Sequence, residues 1–256
     1  MYGKIVGENE KKRRIQVDRK VNMKVLIIIP AYNEQDNIER VVDNLIENYP
    51  QYDYLVVNDG SKDKTPEICK AKGYNFLDMP INVGLSDGIQ AGMMYAHKHG
   101  YDYALQFDGD GQHDPAYIEA MIEAMADCDI CIGSRFVDKK KPKSLRMLGS
   151  NMIETIIWLT TGKRIKDPTS GMRMFNRPTL KVMARTIDYG PEPDTIAHLI
   201  RSGARVREVQ VEMHDRTAGE SYLNLRRSIK YMTHMFFSII FIQWFRKKAK
   251  LGGNKK

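Results

Sequence analysis

The sequence predicts an α/β fold, a Rossmann-like three-layer sandwich whose central sheet is mainly parallel. Short, continuous apolar runs, of which Val25–Ile29 is the first, are typical of strands buried on both faces of a parallel sheet. Segments with helical spacing follow these runs, and strands that alternate with helices of this length form right-handed βαβ units. In such sheets ligands bind at the carboxyl ends of the strands.

The first half of the chain is the more regular half. Pro30 ends the first strand. Asn33 is predicted to cap a helix whose first turn holds Glu34 and Asp36. This helix stops near Pro50. The cycle then repeats, with strands at 54–57, 75–77, 103–107 and 130–133 and with helices at 65–73, from 86 to 100, and at 115–126.

The second half opens with a basic segment, residues 135–146, which is predicted to be a loop. A helix predicted over 145–161 overlaps its end. The remaining predicted elements are a loop plus strand at 166–175, a helix at 193–202, a strand at 205–211 and a final long helix at 225–248.

Composition excludes several classes of protein. The 256 residues are 42% hydrophobic and 28% charged, which is ordinary for a globular chain and unlike disordered or collagen-like proteins. Three cysteines are too few for a disulfide scaffold, and their odd number favours a reducing compartment. No apolar run reaches 18 residues, and the first twenty residues lack the apolar core of a secretory signal, so neither a membrane span nor secretion is expected.

The net charge of +8 is concentrated at the two ends. Residues 1–23 carry +4 and residues 246–256 carry +6, which leaves −2 for the chain between them. We therefore expect a basic flexible arm at 1–23, one domain at 24–224, and an amphipathic helix with a basic tail at 225–256. Basic ends suit nucleic acid or an anionic membrane surface, and a solvated N-terminal arm without a partner is the alternative.

Four acidic residues follow predicted strand ends: Glu34, Asp59, Asp108 and Asp110. On a parallel sheet all of them would line the same edge. Each alone is more simply explained as a helix cap or an Asx turn, but four together are harder to explain in that way. The segment Asp108–Gln112 carries glycines between its acids, so two carboxylates and one amide oxygen could converge. Such oxygen ligands suit Mg²⁺ or Mn²⁺ bridging phosphates.

A resemblance covers residues 23–224. It is carried by an ordered set of segments: Pro-Ala-Tyr-Asn-Glu at 30–34, Asn-Asp-Gly-Ser at 58–61, Asn-Val-Gly at 82–84, Asp-Gly-Asp-Gly-Gln-His-Asp-Pro at 108–115, and Gly-Ser-Arg at 133–135. This set resembles the family 2 glycosyltransferases of the GT-A fold. Within them the chain is most similar to the dolichol- and polyprenyl-phosphate sugar transferases.

The resemblance implies a donor site for a nucleotide-sugar. Its nucleotide-binding residues would be Pro30, Tyr32, Glu34, Asp59, Asp108, Gly109 and Asp110. Asp108, Asp110 and Gln112 would hold Mg²⁺ or Mn²⁺ on the diphosphate. The residues do not decide between uridine and guanosine. We expect a UDP-sugar, with UDP-glucose or UDP-N-acetylhexosamine as the preferred donors.

Two acids further along are candidates for a catalytic carboxylate. Asp167 lies in Asp-Pro-Thr-Ser-Gly-Met-Arg, which resembles the family's Asp-x-x-Ser-Gly-Phe-Arg segment, and Asp194 lies in Glu-Pro-Asp. Either could deprotonate an acceptor hydroxyl. A phosphate acceptor is already ionised and needs no strong base, so Asp167 could instead order the site.

The acceptor is expected to be a polyprenyl phosphate. The resemblance implies that Arg135, Arg146 and Ser150 hold its phosphate, and that Arg216 steadies donor or acceptor phosphates. Arginine suits phosphate oxygens because its donors form a planar fork. The rival is a GT-A transferase that adds sugar to a hydroxyl of a growing cell-surface polysaccharide.

The C-terminal segment Tyr231–Phe245 is apolar and aromatic, with basic residues on both sides. As a helix it would extend about 22 Å, less than the roughly 30 Å of a hydrocarbon core. Docking at the inner face of the cell membrane, on the lipid or on a small membrane protein, is therefore expected. Packing on the domain or in a homo-oligomer is the alternative, and no nucleic acid is expected as a partner.

Overall fold

The computed structural model describes residues 23–185, 190–214 and 225–251, with only the backbone at 145–146, 225–229 and 243. The predicted arm at 1–23 lies almost wholly outside these ranges, and so does Arg216. The seven strands are β1 (Val25–Ala31), β2 (Asp53–Asn58), β3 (Phe76–Asp78), β4 (Tyr103–Gln106), β5 (Ile130–Ser134), β6 (Arg173–Asn176) and β7 (Val206–Gln210).

The helices of the described ranges flank this sheet. They are α1 (Ile38–Asn48), α2 (Thr65–Ala71), α3 (Leu85–Lys98), α4 (Ile118–Ala124), α5 (Leu145–Thr161), α6 (Arg177–Arg185), α7 (Pro193–Arg201), α8 (Leu225–Phe237) and the short α9 (Gln243–Phe245). A 3₁₀ turn at Pro115–Tyr117 precedes α4, and a π-helical turn at Ser238–Ile242 joins α8 to α9.

The sheet has the strand order β3-β2-β1-β4-β6-β5-β7. Its pairings are parallel except at β6, which runs antiparallel to both β4 and β5. Alternate residues of β1 enter different cores, because Leu26 and Ile28 pack on one face while Ile27 and Ile29 pack on the other. The predicted three-layer sandwich with a mainly parallel sheet is confirmed.

One predicted helix start is wrong. Helix α1 begins at Ile38 with Asn37 in the capping position, so Asn33, Glu34 and Asp36 precede it. Asn33 has a φ of +56°, a left-handed conformation that helices do not continue through. The carbonyl of Glu34 accepts hydrogen bonds from the backbone N–H groups of Asn37 and Ile38, which makes this stretch a turn leading into the helix.

Two further differences concern the second half. Helix α6 was not predicted, although Pro178 at its second position is a typical start signal. The final helix is interrupted by the π-helical turn and ends at Phe245, where Arg246 becomes extended. Backbone hydrogen bonding, which amino-acid spacing does not report, decides both the π turn and the early end.

Helices α5 and α8 pack on the same face of the sheet and against each other. A Cβ built on Gly149 of α5 would lie 2.9 Å from Cγ of Met232, so the absence of a side chain permits this close approach. Met235 and Ile239 are buried in the core of this face. None of the helices within the described ranges is long and apolar enough to cross a membrane.

Candidate active site

The seven strands bring loops to one edge of the sheet. The carboxyl ends of β1, β2, β3, β4, β5 and β7 meet there because these strands run in the same direction. Strand β6 runs the other way, so its amino end, which follows Asp167–Met172, lies at the same edge. The edge therefore collects the predicted donor residues together with the segment that contains Asp167.

Hydrogen bonds tie the loop after β1 to the loop after β2. The backbone N–H of Asn33 donates to Oγ of Ser61 at 3.0 Å, and that of Glu34 donates to Oγ1 of Thr65 at 2.9 Å. Pro30 is the sixth residue of β1, while the ring of Tyr32 is 37% exposed beside these loops. The left-handed turn at Asn33 thus serves to lock two loops together.

Asp59 is buried and fixes a third loop. Its carboxylate accepts hydrogen bonds from the backbone N–H groups of Val83 at 2.7 Å and Gly84 at 2.9 Å, and from Nδ2 of Asn82 at 2.9 Å. Three hydrogen bonds to one buried carboxylate fix its position and orientation. Asp59 therefore shapes the loop before α3, and the motifs at 58–61 and 82–84 form one unit.

Asp108–Gln112 forms a tight loop after β4. The backbone N–H of Asp108 donates to Nδ1 of the buried His113 at 2.9 Å, which leaves Nε2 as the ring nitrogen that can donate. That nitrogen, Nε2, lies 3.6 Å from Oδ2 of Asp108. His113 thereby fixes the backbone of Asp108 and lies beside its carboxylate, a role that the motifs alone did not predict.

The far side of this loop pairs with the segment after β7. The carbonyl of Gln112 accepts from the backbone N–H of His214 at 2.9 Å, and Nε2 of Gln112 donates to the His214 carbonyl at 3.3 Å. Oδ1 of the buried Asp110 accepts from the backbone N–H of Gln112 at 3.0 Å. The loop is thus held at both ends.

Two glycines leave room around the acids. A Cβ built on Gly171 would overlap Oδ2 of Asp108, and one built on Gly109 would lie 3.0 Å from the carbonyl oxygen of Pro30. The Asp108 carboxylate therefore occupies space that only glycine at position 171 provides. Gly171 is a second site residue that the sequence analysis did not single out.

The acids fit a divalent cation as a partial ligand set. Among the residues that the structure describes, no three His, Cys, Asp or Glu side chains converge as a closed metal cage. Asp108 and Asp110 supply hard carboxylate oxygens, and Gln112 an amide oxygen. Mg²⁺ and Mn²⁺ are commonly held by one or two carboxylates, with substrate phosphates and water as the other ligands. The loop has the chemistry of such a site.

Asp167, which is fully buried, and Arg135, which is partly exposed, form an ion pair at the same edge. Nε and Nη2 of Arg135 each donate to the carboxylate at 2.8 Å, and the Arg135 backbone N–H donates to it at 3.1 Å. Asp167 has no exposed surface, and its own N–H is held by Glu208 at 2.8 Å. The Asp167 carboxylate thus accepts three hydrogen bonds from Arg135, and it positions the Arg135 guanidinium.

Asp194 holds the C-terminal helix. Its Oδ1 accepts from the N–H of Thr195 at 2.7 Å, and its Oδ2 accepts from Oγ of Ser238 at 2.6 Å. The neighbouring Glu192 accepts from Oγ of Ser86 at 2.7 Å and from the Tyr231 hydroxyl. The Glu-Pro-Asp segment therefore joins α7 to the α8 region.

Two of the four predicted acceptor residues can be placed in full. Arg135 is at the edge, as above, and Ser150 is buried on α5 with the ammonium of Lys141 at 3.4 Å from its hydroxyl. Arg146 lies in the first turn of α5, but its side chain is outside the description, as is all of Arg216.

Comparison with known proteins agrees with this arrangement. The family model described as Glycosyl transferase family 2 matches residues 26–183. An undecaprenyl-phosphate mannosyltransferase of Micrococcus luteus is 30% identical over 216 residues, covering 79% of this chain and 88% of that protein. A dolichol-phosphate mannosyltransferase of Pyrococcus furiosus is 29% identical over 228 residues, covering 84% of this chain and 63% of that protein.

Solved structures show the same fold at low sequence identity. The glucosyl-3-phosphoglycerate synthase of Mycobacterium tuberculosis, in complex with Mn²⁺ and UDP-glucose, superimposes with a TM-score of 0.65 at 12% identity. The match covers 89% of this chain and 82% of that one. The chain belongs to glycosyl transferase family 2, adopts the GT-A-like fold, and is a glycosyltransferase.

Proposed function

We propose that the protein transfers a sugar, with inversion, from a nucleotide-sugar to a polyprenyl phosphate, and that it depends on Mg²⁺ or Mn²⁺. One observation carries the proposal. The segment 167–171 touches both sides of the reaction, because Asp167 holds Arg135 while Gly171 makes room for the Asp108 carboxylate. Arg135, the proposed phosphate ligand, and Asp108, the proposed metal ligand, are thus both positioned by the segment 167–171.

On the donor side, the loops after β1, β2 and β3 would bind the nucleoside and the Asp108 loop its diphosphate. Asp108, Asp110 and Gln112 would hold the divalent cation, whose chemistry is to neutralise charge on the departing nucleoside diphosphate. Asp59 preorganises the 82–84 loop, and His113 holds the backbone of Asp108 in place. UDP is our preferred nucleotide, since the solved structure with this fold contains UDP-glucose.

On the acceptor side, Arg135 would bind phosphate oxygens through the donors that Asp167 leaves free. A guanidinium has five N–H donors, and Asp167 uses two of them. A phosphate monoester is ionised at neutral pH, since its second pKa is about 6. An acceptor oxygen could then attack the anomeric carbon directly without a general base.

The rival acceptor, a sugar hydroxyl, requires a carboxylate free to take a proton. Both candidates are engaged elsewhere: Asp167 with Arg135, and Asp194 with Thr195 and Ser238. This distribution of hydrogen bonds favours the phosphate acceptor.

We further propose attachment at the inner face of the membrane. Among the side chains of α5 that the structure describes, the exposed ones are uncharged: Leu148, Asn151, Thr155, Trp158 and Leu159. The adjoining C-terminal segment exposes Phe237, Phe241, Ile242, Trp244 and Phe245, the last to 89%. Lysines at 247, 248 and 250 follow directly. Exposed aromatics next to lysines suit an anionic bilayer interface, and a small membrane protein or a second subunit are the other candidates.

The test supplies the purified protein with Mn²⁺, undecaprenyl phosphate and a panel of radiolabelled sugar donors that includes UDP-glucose, UDP-N-acetylglucosamine and a guanosine diphosphate sugar. Label in a chloroform-soluble product that mild acid releases is the expected result. Label found only in long polymer, or none in lipid with any donor, contradicts the proposal.

A further inference from the structure

A basic cavity lies between the loop after β5 and the first turns of α5. Its volume is about 370 Å³, and its lining includes Phe136, Lys140, Lys141, Asn151, Arg164 and Lys166. Cationic side chains outnumber carboxylates among its lining residues. An anion is therefore the class of ligand that the cavity favours.

Lys141 is a largely enclosed cation in the lining of this cavity. Its side chain is only 12% exposed, and its ammonium donates to Oε2 of Glu154 at 2.8 Å. The same ammonium lies 3.4 Å from Oγ of Ser150, which has no exposed surface. Lys141 lines the cavity and Ser150 is not among its lining residues, so the ammonium is the group that a ligand in the cavity contacts.

Glu154 fixes the position of Lys141. Burial by itself would raise the pKa of Glu154, but hydrogen bonds from Lys141 and Arg164 outweigh it and the net shift is downward. Nε of Arg164 donates to Oε1 at 2.7 Å, so each carboxylate oxygen has its own cation. An ammonium has three donors, and those that Glu154 does not use remain for Ser150 and a ligand.

Phe136 connects this cavity to the ion pair at the edge of the sheet. The Arg135 guanidinium carbon lies 5.1 Å from the centre of the Phe136 ring, and Nζ of Lys141 lies 5.7 Å from it. Each cation is also held by a buried carboxylate, Asp167 for Arg135 and Glu154 for Lys141. The two cations are thus arranged as a pair around one ring.

We propose that Lys141 binds the phosphate group of the acceptor in this cavity, together with Arg135, and that Glu154 is its positioning residue. The proposal rests on the proposed function, since it identifies where that acceptor's phosphate would sit.

The experiment compares Lys141→Met, Glu154→Gln and a control, Lys143→Met. Lys143 is exposed and does not line the cavity, so its replacement removes the same charge from the same loop. For each variant we would measure KM for a short-chain prenyl phosphate, KM for the nucleotide-sugar, and the Kd of the prenyl phosphate without donor. Losing a hydrogen bond to a charged group predicts that Lys141→Met raises acceptor KM and Kd about 10- to 100-fold.

The donor KM should change less than about threefold in every variant, and Lys143→Met should leave all three constants within that range. Glu154→Gln should raise acceptor KM less than Lys141→Met does, because the ammonium remains. Unchanged acceptor Kd in a Lys141→Met protein with a wild-type Tm overturns the inference. A wild-type enzyme that transfers no sugar to any prenyl phosphate overturns the proposed function instead.

Should Lys141→Met unfold, Lys141→Gln serves as the second variant, because it removes the charge but keeps a side chain that can donate a hydrogen bond to Glu154. It should fold and bind the prenyl phosphate at least about tenfold more weakly than wild type, since the ammonium is gone. Binding equal to wild type for Lys141→Gln overturns the inference.

Discussion

The side chain of Arg135 donates two hydrogen bonds of 2.8 Å to the fully buried carboxylate of Asp167. The Arg135 side chain is about one quarter exposed, and it directly follows β5 at the edge of the sheet where the sugar-donor loops meet. A candidate base and a candidate phosphate ligand are therefore one structural unit.

Asp167→Asn tests whether this carboxylate positions Arg135 or acts as a general base. A positioning role predicts that kcat/KM falls about 30- to 100-fold, equivalent to about 2–3 kcal/mol for a charged hydrogen bond. It also predicts a similar factor at every pH from about 6.5 to 8.5 and a lowered Tm. The check is a pH profile with polyprenyl phosphate as acceptor. Loss of the acidic limb in the variant would assign Asp167 as a base.

Gly171→Ala tests the support of the Asp108 carboxylate. The new Cβ would overlap Oδ2 of Asp108 and lie 3.2 Å from Cε1 of His113, so the carboxylate must move. We expect an apparent Mn²⁺ affinity at least about tenfold weaker at nearly unchanged Tm. Gly92→Ala is the contrast, since its Cβ would overlap Ile28 in the core and should lower Tm. Equal Mn²⁺ titrations for wild type and Gly171→Ala would rule out this role.

Asp59→Asn tests the loop at 82–84. The amide keeps only one acceptor oxygen, so at least one of the bonds to Val83, Gly84 and Asn82 is lost. We expect the KM of the nucleotide-sugar to rise about 10- to 100-fold while the acceptor KM stays within about threefold. Steady-state kinetics with each substrate varied in turn gives both values. If the acceptor KM rose more than the nucleotide-sugar KM, Asp59 would not be a residue that organises the donor site.

Trp158→Glu and Phe241→Glu test the membrane surface. Each puts a charge among the exposed, uncharged side chains that the structure describes on α5 or on the C-terminal segment. Partitioning into anionic vesicles should fall about 10- to 100-fold for each, because burying one such side chain contributes about 1.5–3 kcal/mol. Ile46→Glu, on α1 across the sheet, is the control and should bind as wild type. Full-length protein that stays in solution beside anionic vesicles, and that captures no membrane protein, would argue against attachment.

Acid should destabilise the protein through His198. Burial, with Arg246 and Arg201 nearby, lowers the pKa of this side chain, while Asp194 acts in the opposite direction. A histidine with a lowered folded pKa is protonated first in the unfolded chain, so its contribution to stability is complete above about pH 6.5 and is lost below it. His97 shifts the same way through burial and nearby cations.

We therefore expect unfolding free energy to fall by up to about 1.4 kcal/mol per pH unit for each histidine below pH 6.5. Denaturant unfolding between pH 7.5 and 5 measures this slope, and His198→Gln should flatten it. A slope that His198→Gln leaves unaltered would show that other groups govern the acid response.

Much of the fold was predictable because apolar runs and helical spacing are local properties. The predicted helix over 145–161 coincides with α5, because both of its ends are set by local residues. Ser144 caps its first turn, and Gly162 adopts the left-handed conformation that ends it. The start of α1 was predicted wrongly because the loop tying Asn33 to Ser61 outweighs its local preference for a cap. Such a contact joins residues 28 positions apart, which spacing does not report.

By itself the sequence determined the alternating architecture and the acidic loops that end the strands, because both follow from short-range periodicity and turn residues. Only the tertiary structure decided how those residues are used. The antiparallel direction of β6 brings Asp167 and Gly171 to the donor edge. There Asp167 accepts hydrogen bonds from Arg135, and Gly171 leaves room for the Asp108 carboxylate. Strand direction and side-chain pairing depend on contacts between distant parts of the chain, so these assignments required the folded molecule.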